Sequence, residues 1–211
     1  MKILSIHPSI LRCALLAAGL MAGNAQAAYI SGVTATTTIT PDELSNISHI
    51  TDGSGLSSQS FAATHAAATP STVWAGSGTS GSVDFNLHGT YSLGGLAVWN
   101  FNGVNTVGVK DVAIFTSLDG SNYSLLSGAP TQFAIGAYGA SETAEQFTFS
   151  PVTAAYVRFN ITSNWGNSGA VGLSEVGFDG GAPSSSVPAP SALALFGIGA
   201  AAAVVRRRRA V

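Results

Sequence analysis

The chain has 211 residues, 25 of them glycine, only 9% charged and one cysteine, which leaves room for one domain and accessory segments. All ten acidic residues fall between Asp42 and Asp179, where Lys110 and Arg158 are the only basic ones, so the middle carries a net −8 and the cations gather at the ends. That charge repels phosphate backbones and excludes nucleic acid as a partner; the scarcity of Glu, Lys and Arg favours β structure over helix.

Residues 1–27 have the layout of a signal peptide. Lys2 and Arg12 form a basic start, Cys13 to Gly23 an apolar run, and Ala25-Gln26-Ala27 a small-x-small site with the cut after Ala27. Cys13 leaves with this segment, and Arg12 before it departs from the small residue that a lipoprotein signal requires. The mature chain is therefore expected to have no disulfide and no cysteine metal site.

Residues 28–180 show period-2 runs parted by Gly, Asn, Asp and Ser, which predict one all-β sandwich of about eight strands, a jelly roll by spacing. A first strand is expected near Tyr29 to Thr38. "SVDFNL" then sets Val83, Phe85 and Leu87 against Asp84 and Asn86, while "GLAVWNF" and "KDVAIFTS" read as strands buried on both faces. Asp119-Gly120 predicts a hairpin turn. "EQFTFS" puts Phe147 and Phe149 on one face, "AYVRFNI" sets Val157, Phe159 and Ile161 against Tyr156, Arg158 and Asn160, and "AVGLSEVGF" closes the domain.

Few constellations in this stretch carry chemistry. Gly76 to Gly81 spell G-x-G-x-x-G, but an alternating strand follows where a dinucleotide site needs a helix, so the segment is a loop. His49, His65 and His88 have no metal-ligand spacing, although His65 in "FAATHAAAT" could line a pocket. Asp84, Asp111 and Glu142 show no convergence and there is no G-x-S-x-G elbow, so no enzyme is expected. Trp99 is expected in the core and Trp74 beneath a glycine loop. Trp165 is flanked by Asn164 and Asn167 in "SNWGNSG", an aromatic among amides that could hold a sugar ring, with Asn102 of "NFNGVN" at the same end. A Trp that plugs the end of the sandwich is the open alternative.

After the linker 181–190, residues 191–211 form an apolar run closed by Arg206, Arg207, Arg208 and Arg209. The run predicts a single transmembrane helix, and the arginines keep the tail cytoplasmic with the domain outside. Pro188 and Pro190, the apolar helix and the arginine cluster together resemble the PEP-CTERM sorting signal, with Ala189 where the family has Glu. The resemblance implies an exosortase-type membrane enzyme as a processing partner, a passing stay in the membrane, and delivery to the cell surface or extracellular matrix.

"ITDGSGLSS", "STVWAGSGTSGSVDFNLHGTYSLGGLAVWNFN", "GVKDVAIFTSLDGSNYSLL" and "AAYVRFNI…GLSEVGF" resemble the discoidin-like, galactose-binding-like domains. That resemblance implies a jelly-roll β-sandwich that binds a carbohydrate or polysaccharide through loops at one end. It also implies a structural calcium held by Asp52 of "TDGSG" and Glu175 of "LSEVGF", hard oxygen donors suited to that ion. The alternative is a structural matrix or biofilm component without a defined ligand.

Overall fold

Apolar residues at every second position bury one face of a strand, and among the described residues that rule builds ten strands. They are β1 (Thr34–Thr37), β2 (Thr40–Pro41), β3 (Thr64–His65), β4 (Trp74–Ser77), β5 (Gly81–Asn100), β6 (Val112–Ser117), β7 (Ser124–Leu125), β8 (Glu142–Thr143), β9 (Glu145–Ile161) and β10 (Ala170–Gly181). The computed structural model describes residues 28–42 and 45–181. The expected signal peptide over residues 1–27, most of the linker, Pro188, Pro190, the apolar run and Arg206 to Arg209 lie outside the described residues. Among the described residues, no helix is long and apolar enough to cross a membrane.

The large sheet runs β2-β4-β10-β5-β9-β6-β7, with β1 joined to the first half of β5, while β3 and β8 pair separately. The sequence reads "SVDFNL" and "GLAVWNF" as two strands, but the structure joins them in β5. The reason is a bend with a register slip between Asn86 and Tyr91, where His88 adopts φ 53° and its N–H bonds Asn86 Oδ1 at 2.8 Å. "EQFTFS" and "AYVRFNI" are likewise one strand, β9, which follows β5 through the same bend. Long bent strands let one hydrogen-bonded sheet supply both layers of the sandwich.

The alternation holds where the sequence placed it: Val83, Phe85, Leu87, Val157, Phe159 and Ile161 are buried. Phe85 meets Phe159 and Phe178 edge-on, with centroids 4.9 and 5.1 Å apart. Trp99 heads a smaller cluster with Ala63 and Ala97, its indole N–H bonded to the Ala63 carbonyl at 3.1 Å. Asp119 builds the expected turn by accepting from the Ser121 and Asn122 N–H groups, both at 2.8 Å, with Gly120 at φ 72°.

On the outer face, Arg158 forks onto Asp84 at 2.6 and 2.7 Å, and its guanidinium lies 4.0 Å from the Tyr123 ring centre. The pair is about a third exposed, so solvent weakens it. Arg158→Ala should therefore cost only about 1 kcal/mol in urea denaturation.

Candidate functional site

The loops that join the strands meet at one end of the sandwich, and buried asparagines hold them there. Asn100 donates to the Val109 and Ala134 carbonyls at 2.7 and 2.6 Å. Asn102 is fully buried; it donates to Ala66 and Ala140 at 2.8 and 2.9 Å and accepts from Ser174 Oγ at 3.0 Å. Asn164 donates to Asn167 and Ala170 at 2.7 and 2.6 Å and accepts from the Gly166 N–H. Loop carbonyls turned inward need donors, and an amide supplies two. The sequence reading gave Asn102 and Asn164 to a ligand, but both are spent on this framing. Asn167 is half engaged, its Oδ1 accepting from the Gly169 and Ala170 N–H groups at 2.9 Å.

Trp165 is only part-exposed. Its backbone N–H bonds the Gly108 carbonyl, the Lys110 ammonium lies 5.3 Å from the ring centre, and its sheltered indole N–H has no partner among the described residues. The ring already carries a cation and is not a bare platform.

Beside this framework, Asp42, Ser45, Thr69, Val73, Phe101 and Val104 line a recess of about 230 Å³. Val104 is half exposed at its mouth, and Phe101 packs over the backbone of Gly172, where a side chain would collide with its ring. The recess has an apolar floor and a few polar groups at its rim, the usual make-up of a small-molecule site. Sequence reasoning missed Phe101. Its signal was parity: with Asn102 turned inward, its neighbour on an extended chain turns outward. A larger groove of about 360 Å³ lies at the β6–β7 hairpin, but its one acid, Asp119, is consumed by the turn and no aromatic lines it.

Asp52 and Glu175 do come together. Gly53 donates its N–H to Glu175 Oε1 at 3.3 Å, and Asp52 accepts from the Ser54 N–H at 2.8 Å and faces His49 Nδ1 at 3.1 Å. Burial pushes the Asp52 carboxyl up, but the Ser54 and His49 donors outweigh it and hold it below its ordinary value. Glu175 is fully buried and its Oε2 has no partner among the described residues. Burial first, and the Asp52 charge second, push its carboxyl up to about 9 against the opposing Gly53 N–H. Tyr29 covers this corner, its ring against Gly177 and 5.2 Å from that of Phe61; burial and then the Glu175 charge raise its hydroxyl. An orphaned carboxylate oxygen beside a second carboxylate, on a turn with Gly53 at φ 77°, fits a hard divalent cation. No group of three His, Cys, Asp or Glu side chains converges among the described residues. Most of the six to eight oxygens that calcium takes would have to come from backbone carbonyls and water.

A jelly-roll sandwich with a small recess among its end loops defines a galactose-binding-like module. The F5/8 type C domain family matches residues 45–176, and the chain belongs to that family. Residues 186–209 match the PEP-CTERM protein-sorting motif, which marks an exported, surface-sorted protein. The family 32 carbohydrate-binding module of Clostridium perfringens NanJ, solved with galactose, is similar at 15% identity and TM-score 0.52, covering 72% of this chain and 97% of its own. A second Clostridium perfringens module, solved with GalNAc-β-1,3-galactose, gives 15% identity and TM-score 0.50 over 72% of this chain and 99% of its own. CBM32-1 from a family 31 glycoside hydrolase of the same organism gives 16% identity and TM-score 0.51 over 72% and 96%. These likenesses share the fold. No curated protein matches the chain.

Proposed function

We propose that this is an exported surface or matrix protein whose sandwich binds a saccharide in the recess around Phe101. Its tail serves as a passing membrane anchor until an exosortase-type enzyme processes it. The observation that carries the reading is the recess itself, which sets one part-exposed aromatic face beside the exposed Asp42 carboxylate and the Thr69 hydroxyl, while the Ser45 hydroxyl at the same rim is engaged by the Ala75 backbone. Sugar C–H faces pack on an aromatic ring while their hydroxyls bond polar groups at the rim. Galactose-bearing ligands in the modules of similar fold make galactose the first probe.

A glycan array with the full chain should show selective binding, and titration with the best galactoside should lose about tenfold in affinity in Phe101→Ala. Trp165→Ala should lose less, because that ring stands outside the recess lining and carries Lys110. Silence across the array with calcium present would sink the saccharide reading and leave a matrix component without a defined ligand.

Calcium forms the second half of the proposal. Glu175 and Asp52 hold it, with a structural role: the ion supplies the positive charge that a buried carboxylate lacks and ties the Gly53 turn to β10.

A further inference from the structure

Residues 28–30 run antiparallel along the end of β10. The Ile30 N–H donates to the Phe178 carbonyl at 2.9 Å and the Gly180 N–H to the Ala28 carbonyl at 3.0 Å, with Tyr29 paired to Asp179 between them. Ile30 is buried beside Gly180, where a Cβ would stand 2.7 Å from its Cδ1. The Ala28 N–H turns instead to a side chain and donates to Asp179 Oδ1 at 2.8 Å.

No cationic side chain is left for Asp179. Lys110 and Arg158 are the only Lys or Arg between Ala28 and Gly181, and they are taken by the Trp165 ring and by Asp84. His49 faces Asp52, His88 bonds Thr34, and the His65 ring lies between the Ala66 and Thr72 carbonyls. Among the described residues, Asp179 therefore has no ion-pair partner in any side chain.

Export changes the nitrogen that Asp179 meets. Ala25-Gln26-Ala27 predicts a cut after Ala27. Water then splits the Ala27–Ala28 bond: its oxygen stays on the Ala27 carbonyl carbon as part of a carboxylate, and both its protons end on the Ala28 nitrogen. That nitrogen becomes an α-ammonium at neutral pH.

We propose that Asp179 is the receptor for this α-ammonium, so that removal of the leader pins the first strand, and the Tyr29 ring it carries, to β10. The proposal rests on the cut after Ala27 and is independent of the saccharide and calcium readings. No backbone bond has to change, because the Ala28 carbonyl stays paired with Gly180 and 2.8 Å already suits a charge-assisted hydrogen bond. Ala28 is exposed, so solvent screens the pair and its effect is local to this edge.

The chain as exported and isolated from its cells tests this. The mass of its N-terminal peptide should show Ala28 as the first residue. Acetylating the α-amine alone removes the charge and keeps an N–H; hydrogen exchange at the Ile30 and Gly180 amides should then quicken about fivefold. Asp179→Asn, which keeps an acceptor, should quicken the same amides by a similar factor and make them indifferent to acetylation. A different first residue overturns the proposal. So does exchange that acetylation leaves unchanged, or that it quickens equally in Asp179→Asn.

Discussion

In chelator, the melting temperature of the chain is expected to fall as pH rises from about 5 to 9, and saturating calcium is expected to restore it. The cause is Glu175. Its carboxyl ionises near 9 in the folded chain, against 4.5 for the ordinary group. Between those values the folded protein holds a proton that the unfolded chain has released, so stability declines with rising pH across that window. The loss is on the order of 5 kcal/mol between pH 5 and 9, or roughly 10 to 20 °C for a domain of this size. The proposed calcium is expected to reverse the sign, because a cation there favours the ionised form and replaces the missing partner of Oε2. Glu175→Gln should abolish the calcium response and the decline above pH 7, leaving only the smaller decline below it that comes from Glu142, which burial raises to about 7. Differential scanning calorimetry at two pH values, each with and without calcium, gives the answer. Four equal transitions would remove both the ion and the buried charge from consideration.

Phe85→Ala is expected to cost about 3–5 kcal/mol in urea denaturation, the largest loss from any single substitution considered. Phe85 is wholly buried, and its ring fills the space between Phe159 on β9 and Phe178 on β10. Alanine there leaves a cavity walled by three strands whose backbones are fixed by sheet hydrogen bonds, so collapse cannot repair it. The calcium response should survive in any fraction that folds, since Glu175 belongs to a different corner. A loss below about 1 kcal/mol would mean that the core closes over the gap, contrary to rigid sheet packing.

These two results bear on different layers of information. The placement of Phe85, Val157 and Phe159 followed from alternation, because a strand's inward and outward faces are set by the pleat alone. The Asp119-Gly120 turn was legible for the same reason: its hydrogen bonds close within three residues. Joining "SVDFNL" to "GLAVWNF" was not legible, since what carries the strand through the bend is pairing with the distant β9, resumed where Tyr91 meets Ala154.

The site divides along the same line. Asp52 and Glu175 could be paired from a family likeness, but the orphaned oxygen on which the proposed cation site rests appears only when Tyr29 and β10 close over it. "SNWGNSG" looks like a sugar-binding loop by composition, yet Asn164 and Asn167 turn their amides onto their own backbone, and the recess opens at Phe101 instead. His65 looked like one histidine among alanines until the fold brought the Thr72 carbonyl to its second nitrogen. The transport signals, the charge distribution, the β class and the facing of each strand were set by the sequence alone, because each depends on neighbours within a few residues. The recess, the buried carboxylate and the burial of His65 were decided only by tertiary structure, because burial and hydrogen-bond satisfaction are properties of segments far apart in the chain.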